Sequence, residues 1–152
     1  MRKDARLERR LADVAALQKL KTNASRAEFG EAQLRRSSAE TEFTLADRDF
    51  EGGMRTMEAL LTADVLDFDR WRIGRAVVEE LSTARDAAAN KVSCREHEEA
   101  DAQEAFGQEK ARESHAGKMH RALVRRLEDR RDDKATLEAN DLVVARKLAR
   151  QS

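Results

Sequence analysis

Apolar positions recur at intervals of three and four from near the start of the chain, which is the spacing of one helix face. A first helix is predicted from about residue 4 to about residue 61, opening on Leu7, Leu11 and Val14. A second phase follows through Leu17, Leu20, Ala24, Ala27, Glu31, Leu34, Ser38, Thr41 and Leu45, with Phe29, Phe43 and Phe50 beside it. The step from Val14 to Leu17 reads as a stammer, which locally overwinds a coiled coil. Gly52-Gly53 is the only glycine pair. Glycine is costly inside a helix and favoured at helix ends, so the pair predicts a kink. The reversal is expected at about residues 62–68, where Thr62, Asp64 and Asp67 each offer an N-cap oxygen. A turn at the glycine pair itself is the alternative.

A second helix is predicted from about residue 69 to residue 150. Its seam runs Val78, Leu81, Arg85, Ala88, Val92, Arg95, Glu99, Ala102, Phe106, Glu109, Glu113, Ala116, His120, Leu123 and Leu127. The same phase continues through Arg130, Lys134, Leu137, Asp141, Val144 and Leu148. The charged members are expected to weaken packing, because such positions favour apolar side chains. Gly107 and Gly117 each lower helix stability by about 1 kcal/mol relative to alanine. The fold class is therefore all-α: a single domain over residues 1–152, two long helices in an antiparallel coiled-coil hairpin, the second longer and overhanging.

Composition agrees with that pattern. The 152 residues include no proline and no tyrosine, with 39% charged and 4% aromatic side chains. Five Phe and one Trp fill a narrow seam between two helices more readily than a globular core. Disorder is opposed by the strong helix formers and the regular Leu, Val and Phe spacing. The lone Cys94 excludes an intrachain disulfide, which fits a reducing compartment. Runs of low charge such as residues 57–63 are too short to span a bilayer, and MRKDARLERR lacks the apolar region of a secretory signal. A soluble, cytoplasmic chain is expected.

Net charge is zero but unevenly placed. Residues 1–21 carry +4, residues 118–152 carry +4, and the stretch between them carries −8. A hairpin brings the two basic segments to one pole, a polarity that orients a rod on a partner of opposite charge. With the turn near residue 65, residue 7 faces roughly residue 123. The last 25 or so residues then overhang by roughly 35–40 Å at 1.5 Å per residue. Leu137, Leu142, Val143, Val144 and Leu148 give this overhang an apolar face without an internal mate, a candidate docking stripe. Pairing with another copy is its alternative role.

Catalytic and metal chemistry find little support. There is no phosphate loop and no serine nucleophile motif. His97 with Asp101 is a solvated helical pair more readily than a metal site, and acid pairs such as Glu98-Glu99 lack a pocket to shift them. No cofactor and no metal is expected. Arg125, Arg126, Arg130 and Arg131 form a basic cluster, but Glu128, Asp129, Asp132 and Asp133 interleave it and no aromatic is present to stack bases. Trp71, with Phe68 and Ile73, lies beside the predicted turn, as an apolar plug or an exposed tip anchor.

Three segments carry a resemblance: RLERRLADVAALQKL, EGGMRTMEALLTADVLDFDRW and RRLEDRRDDKATLEANDLVVARKLARQ. Together they make the chain resemble, over nearly its whole length, the FliJ/YscO family, small coiled-coil stalk proteins of flagellar and type III secretion export machines. The resemblance implies a cytoplasmic, non-enzymatic protein, peripheral to the inner-membrane export apparatus and monomeric in isolation. It implies partners as well: a hexameric export ATPase, the export gate protein and secretion chaperones. Arg2, Lys3, Arg6, Arg9, Arg10, Arg125, Arg126, Arg130, Arg131, Arg146, Lys147 and Arg150 would then face an acidic ring lumen, by region and not by motif.

Overall fold

The computed structural model describes residues 2–63, 65 and 67–149; the side chains of Arg2, Lys3 and Leu148 lie outside that description, as do Asp64 and Arg150. Its regular elements are α1, Arg2–Leu61, and α2, Phe68–Ala149. The protein is an all-α hairpin with no strand among the described residues. Two compact units divide it. Ser25–Phe106 forms the turn unit, and Met1–Ala24 with Gly107–Ser152 forms the terminal unit.

In the turn unit α1 passes through Gly52-Gly53 without interruption. Neither glycine serves chain reversal; Gly53 sits in close packing, while Gly52 has open space around it. A Cβ at Gly53 would stand 2.8 Å from Leu81 Cδ1, and one at Gly74 would stand 2.6 Å from Met57 Sδ. The chain reverses between Leu61 and Phe68. Thr62 belongs to the end of α1: its N–H and hydroxyl both donate to the Glu58 carbonyl, at 3.1 and 3.0 Å. Asp67 caps α2, its Oδ1 accepting from the N–H groups of Asp69 and Arg70 at 3.1 Å each. This satisfies two of the donors that a helix start leaves free.

The seam of the turn unit follows the second-helix reading closely. Val78, Leu81, Arg85, Ala88, Val92, Arg95, Glu99, Ala102 and Phe106 all withdraw from solvent. On α1 the observed phase differs from the expected one. The inward residues are Phe29, Ala32, Arg36, Ala39, Phe43, Ala46, Phe50, Gly53, Met57 and Leu60. Leu34 and Leu45 instead lie 72% and 56% exposed on the opposite face, with Ala27, Glu31, Ser38 and Thr41 also exposed. Small side chains explain the choice. Ala32 and Ala39, 5% and 1% exposed, let the helices approach, and phenylalanines fill the wider layers. Phe29 stacks on Phe106 with ring centroids 6.1 Å apart.

The charged seam positions of the turn unit are partnered. Arg85 bonds Asp47 at 2.6 Å and covers the Phe50 ring at 5.1 Å. Arg36 reaches Glu99 across the seam at 3.1 Å and Glu40 at 2.9 Å. The bond to Glu99, then the one to Glu40, raises the Arg36 pKa above its ordinary value, and Glu98 does the same for Arg95. Arg36, Glu40 and Asp47 belong to the α1 face that the sequence phase had left outside. Both guanidiniums stay charged throughout the accessible pH range; Arg36 to Glu99 joins the two helices, whereas Arg95 to Glu98 lies within α2.

The two α1 phases give opposite outcomes in thermal unfolding. Phe29→Ala is expected to cost about 2 kcal/mol, the loss of a part-buried ring. Leu34→Ala, on the exposed face, is expected to cost less than about 0.5 kcal/mol. Circular dichroism melts of the two variants check the assignment; equal losses would reject the observed phase.

Candidate functional site

The terminal unit is where the sequence placed its binding residues. Its inner layers are polar. Thr22, 7% exposed, donates its hydroxyl to the Gln18 carbonyl at 3.0 Å and to the Glu109 carbonyl of α2 at 3.3 Å. The Gln18 amide also donates to the Glu109 carboxylate, which holds Arg112 at 2.5 Å. Ala15, Leu11 and Glu8 of α1 continue the inward face, together with Glu113, Ala116, His120 and Leu123 of α2. Leu17 and Leu20 are 54% and 66% exposed, and Ala24 is exposed too, so the expected stammer is absent and Leu11 leads directly to Ala15. Leu127, 7% exposed, is the last buried side chain of α2, beside Asp4 and Ala5.

Beyond Leu127 every described side chain of α2 is exposed. The seam phase continues through Arg130, Lys134, Leu137, Asp141 and Val144, but no described side chain of α1 buries it. Leu137 and Val144, 64% and 55% exposed, are seven residues apart and share one side. Leu142, 64% exposed, lies about 140° round the helix from Leu137 at 3.6 residues per turn, so it does not belong to that stripe. The side chain of Leu148 falls outside the described residues.

The predicted basic residues do not make one patch. Arg130 and Arg131 flank the seam line just past Leu127, and they line a groove of about 430 Å³ with Asp4, Ala5 and Lys134. Arg125 and Arg126 are exposed on other sides of the helix, as are Arg6, Arg9 and Arg10 on α1. Arg146 and Lys147 occupy the last turn of α2, where they favour the negative end of the helix dipole. The side chains of Arg2 and Lys3, and Arg150 altogether, lie outside the described residues.

Charge follows the unit boundary closely. The terminal unit holds nineteen Lys/Arg against eleven Asp/Glu, and the turn unit eleven against nineteen. Within the terminal unit the excess is confined to the paired part. Residues 1–24 and 107–127 hold thirteen basic and five acidic residues, whereas residues 128–152 hold six of each. The overhang expected to be basic is therefore neutral, and the cations crowd the helix pair behind it.

The paired part also differs between its two sides. One groove, of about 500 Å³, is lined by Lys19, Lys110, Glu113 and Arg121 among small residues. Another, of about 440 Å³, is lined by Leu11, Val14, His115, Ala116 and Met119. Sequence reasoning assigned no function to Met119 and gave Val14 to a seam that excludes it. The available signal was the heptad interval between Leu7 and Val14, two apolar side chains just off the buried line.

At the reversal, Phe68 is 72% exposed and Trp71 half-buried. His97 Nδ1 lies 2.7 Å from the Ser93 carbonyl of its own helix, and Cys94 is exposed. Among the described residues no three His, Cys, Asp or Glu side chains gather as a metal-binding group, and no helix is long and apolar enough to cross a membrane. No family model, curated protein or solved structure matches the chain.

An uncovered helix frays more readily than a paired one. Limited trypsin digestion is therefore expected to cut after Arg130, Arg131 and Lys134 before it cuts after Arg36, Arg85 or Arg95. Mass spectrometry of the early fragments checks the order; first cuts in the turn unit would contradict it.

Proposed function

We propose that this chain is a non-enzymatic stalk of a type III protein export machine, flagellar or virulence-associated. It docks its terminal unit in the export ATPase ring, stimulates that ATPase, and links it to the export gate and to secretion chaperones. Its place is the cytoplasm, peripheral to the inner-membrane apparatus. One observation carries the reading: a two-helix hairpin whose basic excess is gathered in the terminal unit, with an uncovered end of α2 projecting from it. An acidic ring lumen would attract that unit and orient it, since opposite potentials steer association and fix orientation. The resemblance to the FliJ/YscO family over nearly the whole chain supports the same assignment.

A second reading is a self-associating scaffold. The exposed Leu34 and Leu45 of the turn unit favour it, because they present a second apolar face on α1 opposite the seam. Sedimentation velocity separates the two: the stalk reading expects a monomer, and a stable dimer dissociated by Leu34→Ser and Leu45→Ser supports the scaffold.

Reversing Arg125, Arg126, Arg130 and Arg131 to Glu is expected to abolish stimulation of the hexameric export ATPase and to leave helicity intact. Steady-state ATP hydrolysis with and without the chain, at low and high salt, measures the effect. Full stimulation by the reversed variant would remove the basic end as the docking surface.

A further inference from the structure

The apolar groove of the terminal unit has a shape and a border that specify an occupant. Val14 and Met119 face each other across it from α1 and α2, and each keeps about half of its surface exposed, 51% and 50%. Leu7, 48% exposed, extends the row one heptad earlier on α1. Exposed apolar side chains normally occur singly; a row of them between two helices is the ground on which a third helix packs.

Cations close both ends of the row. Lys21 lies seven residues past Val14, and Arg126 seven past Met119, each on the same flank as the residue it follows. The helices run antiparallel, so these two cations stand at opposite ends, with Arg112 lining the groove near the Lys21 end. The span from Arg112 to Arg126 is about 21 Å of helix, close to four turns. Neither Lys21 nor Arg126 has an ion-pair partner within 4 Å among the described residues. The other groove of the same helix pair is lined by Lys19, Lys110, Glu113 and Arg121 among small residues, with no large apolar side chain.

We propose that this groove docks an amphipathic helix of a partner protein, about four turns long, apolar along its middle and acidic at both ends. A helix with basic ends would set like charges against Lys21 and Arg126. The overhang of a second copy fits poorly: Asp141 interrupts its stripe between Leu137 and Val144, and Arg146 and Lys147 stand at its end. The site is distinct from the free end of α2 and does not depend on the export-stalk reading.

The test uses the full chain and two labelled synthetic helices, followed by fluorescence anisotropy. Both carry leucines at intervals of three and four; one has glutamates at both ends, the other lysines. The glutamate peptide is expected to bind, and to bind more weakly as salt rises. Val14→Ser with Met119→Ser should weaken it about tenfold, the scale set by losing the burial of one or two apolar side chains. Lys21→Glu with Arg126→Glu should do the same while Leu34→Ser, in the turn unit, changes nothing. Circular dichroism shows that each variant remains helical. Equal binding of the two peptides, or binding indifferent to Met119, overturns the proposal. So does self-association in sedimentation velocity that Val14→Ser with Met119→Ser removes, since a second copy would then be the occupant.

Discussion

Two long helices stay in register only if every layer between them accepts side chains that repeat at three and four residues. In this protein the constraint is met by contrast of size. Ala32 and Ala39 bring the backbones close, Gly53 and Gly74 bring them closer near the reversal, and Phe29, Phe43, Phe50 and Phe106 occupy the layers that remain open. Few side chains are fully buried, so there is no reserve of core to absorb a shift of one helix along the other. Register is the quantity the structure must protect.

The seam charges supply that protection. Arg36 to Glu99 and Arg85 to Asp47 join the two helices at fixed positions, and a slip by one heptad either way would set Arg36 against Val92 or Phe106 in place of Glu99. An apolar contact tolerates such a slip far better than a guanidinium–carboxylate bond does. In the terminal unit the same task falls to neutral groups: the Thr22 hydroxyl and the Gln18 amide both reach Glu109. Specificity is thus carried by polar atoms inside an interface whose hydrophobic content is modest.

Much of this was legible in the sequence, though unevenly. The seam of α2 could be read from Val78 to Leu127 because its apolar members outnumber the charged ones on a single line. The Asp67 cap followed from side-chain chemistry at a helix start. On α1 the larger aliphatic side chains misled: Leu17, Leu20, Leu34 and Leu45 recur on one line, whereas the true one sets Thr22, Ser25, Ala32 and Ala39 among Phe29, Phe43 and Phe50. Hydrophobicity ranks leucine above alanine, whereas close helix approach ranks them the other way. The seven-residue recurrence of Phe43, Phe50 and Met57 was the better guide. At the candidate site, the exposed end of α2 and the basic pole were foreseeable. The neutrality of the overhang became visible only once Leu127 marked where pairing stops.

The separation of contacting residues along the chain is short at the reversal, and long both where Phe29 meets Phe106 in the turn unit and in the terminal unit. Met57 meets Gly74 after a short excursion around the reversal, whereas Gln18 and Glu109 are 91 residues apart. Closing the long excursion in an unfolded chain carries a larger entropic penalty, and one that no early contact offsets. In the unfolded chain the partners at the reversal therefore stay within easy reach of each other, while those of the terminal unit must be gathered from far apart along it.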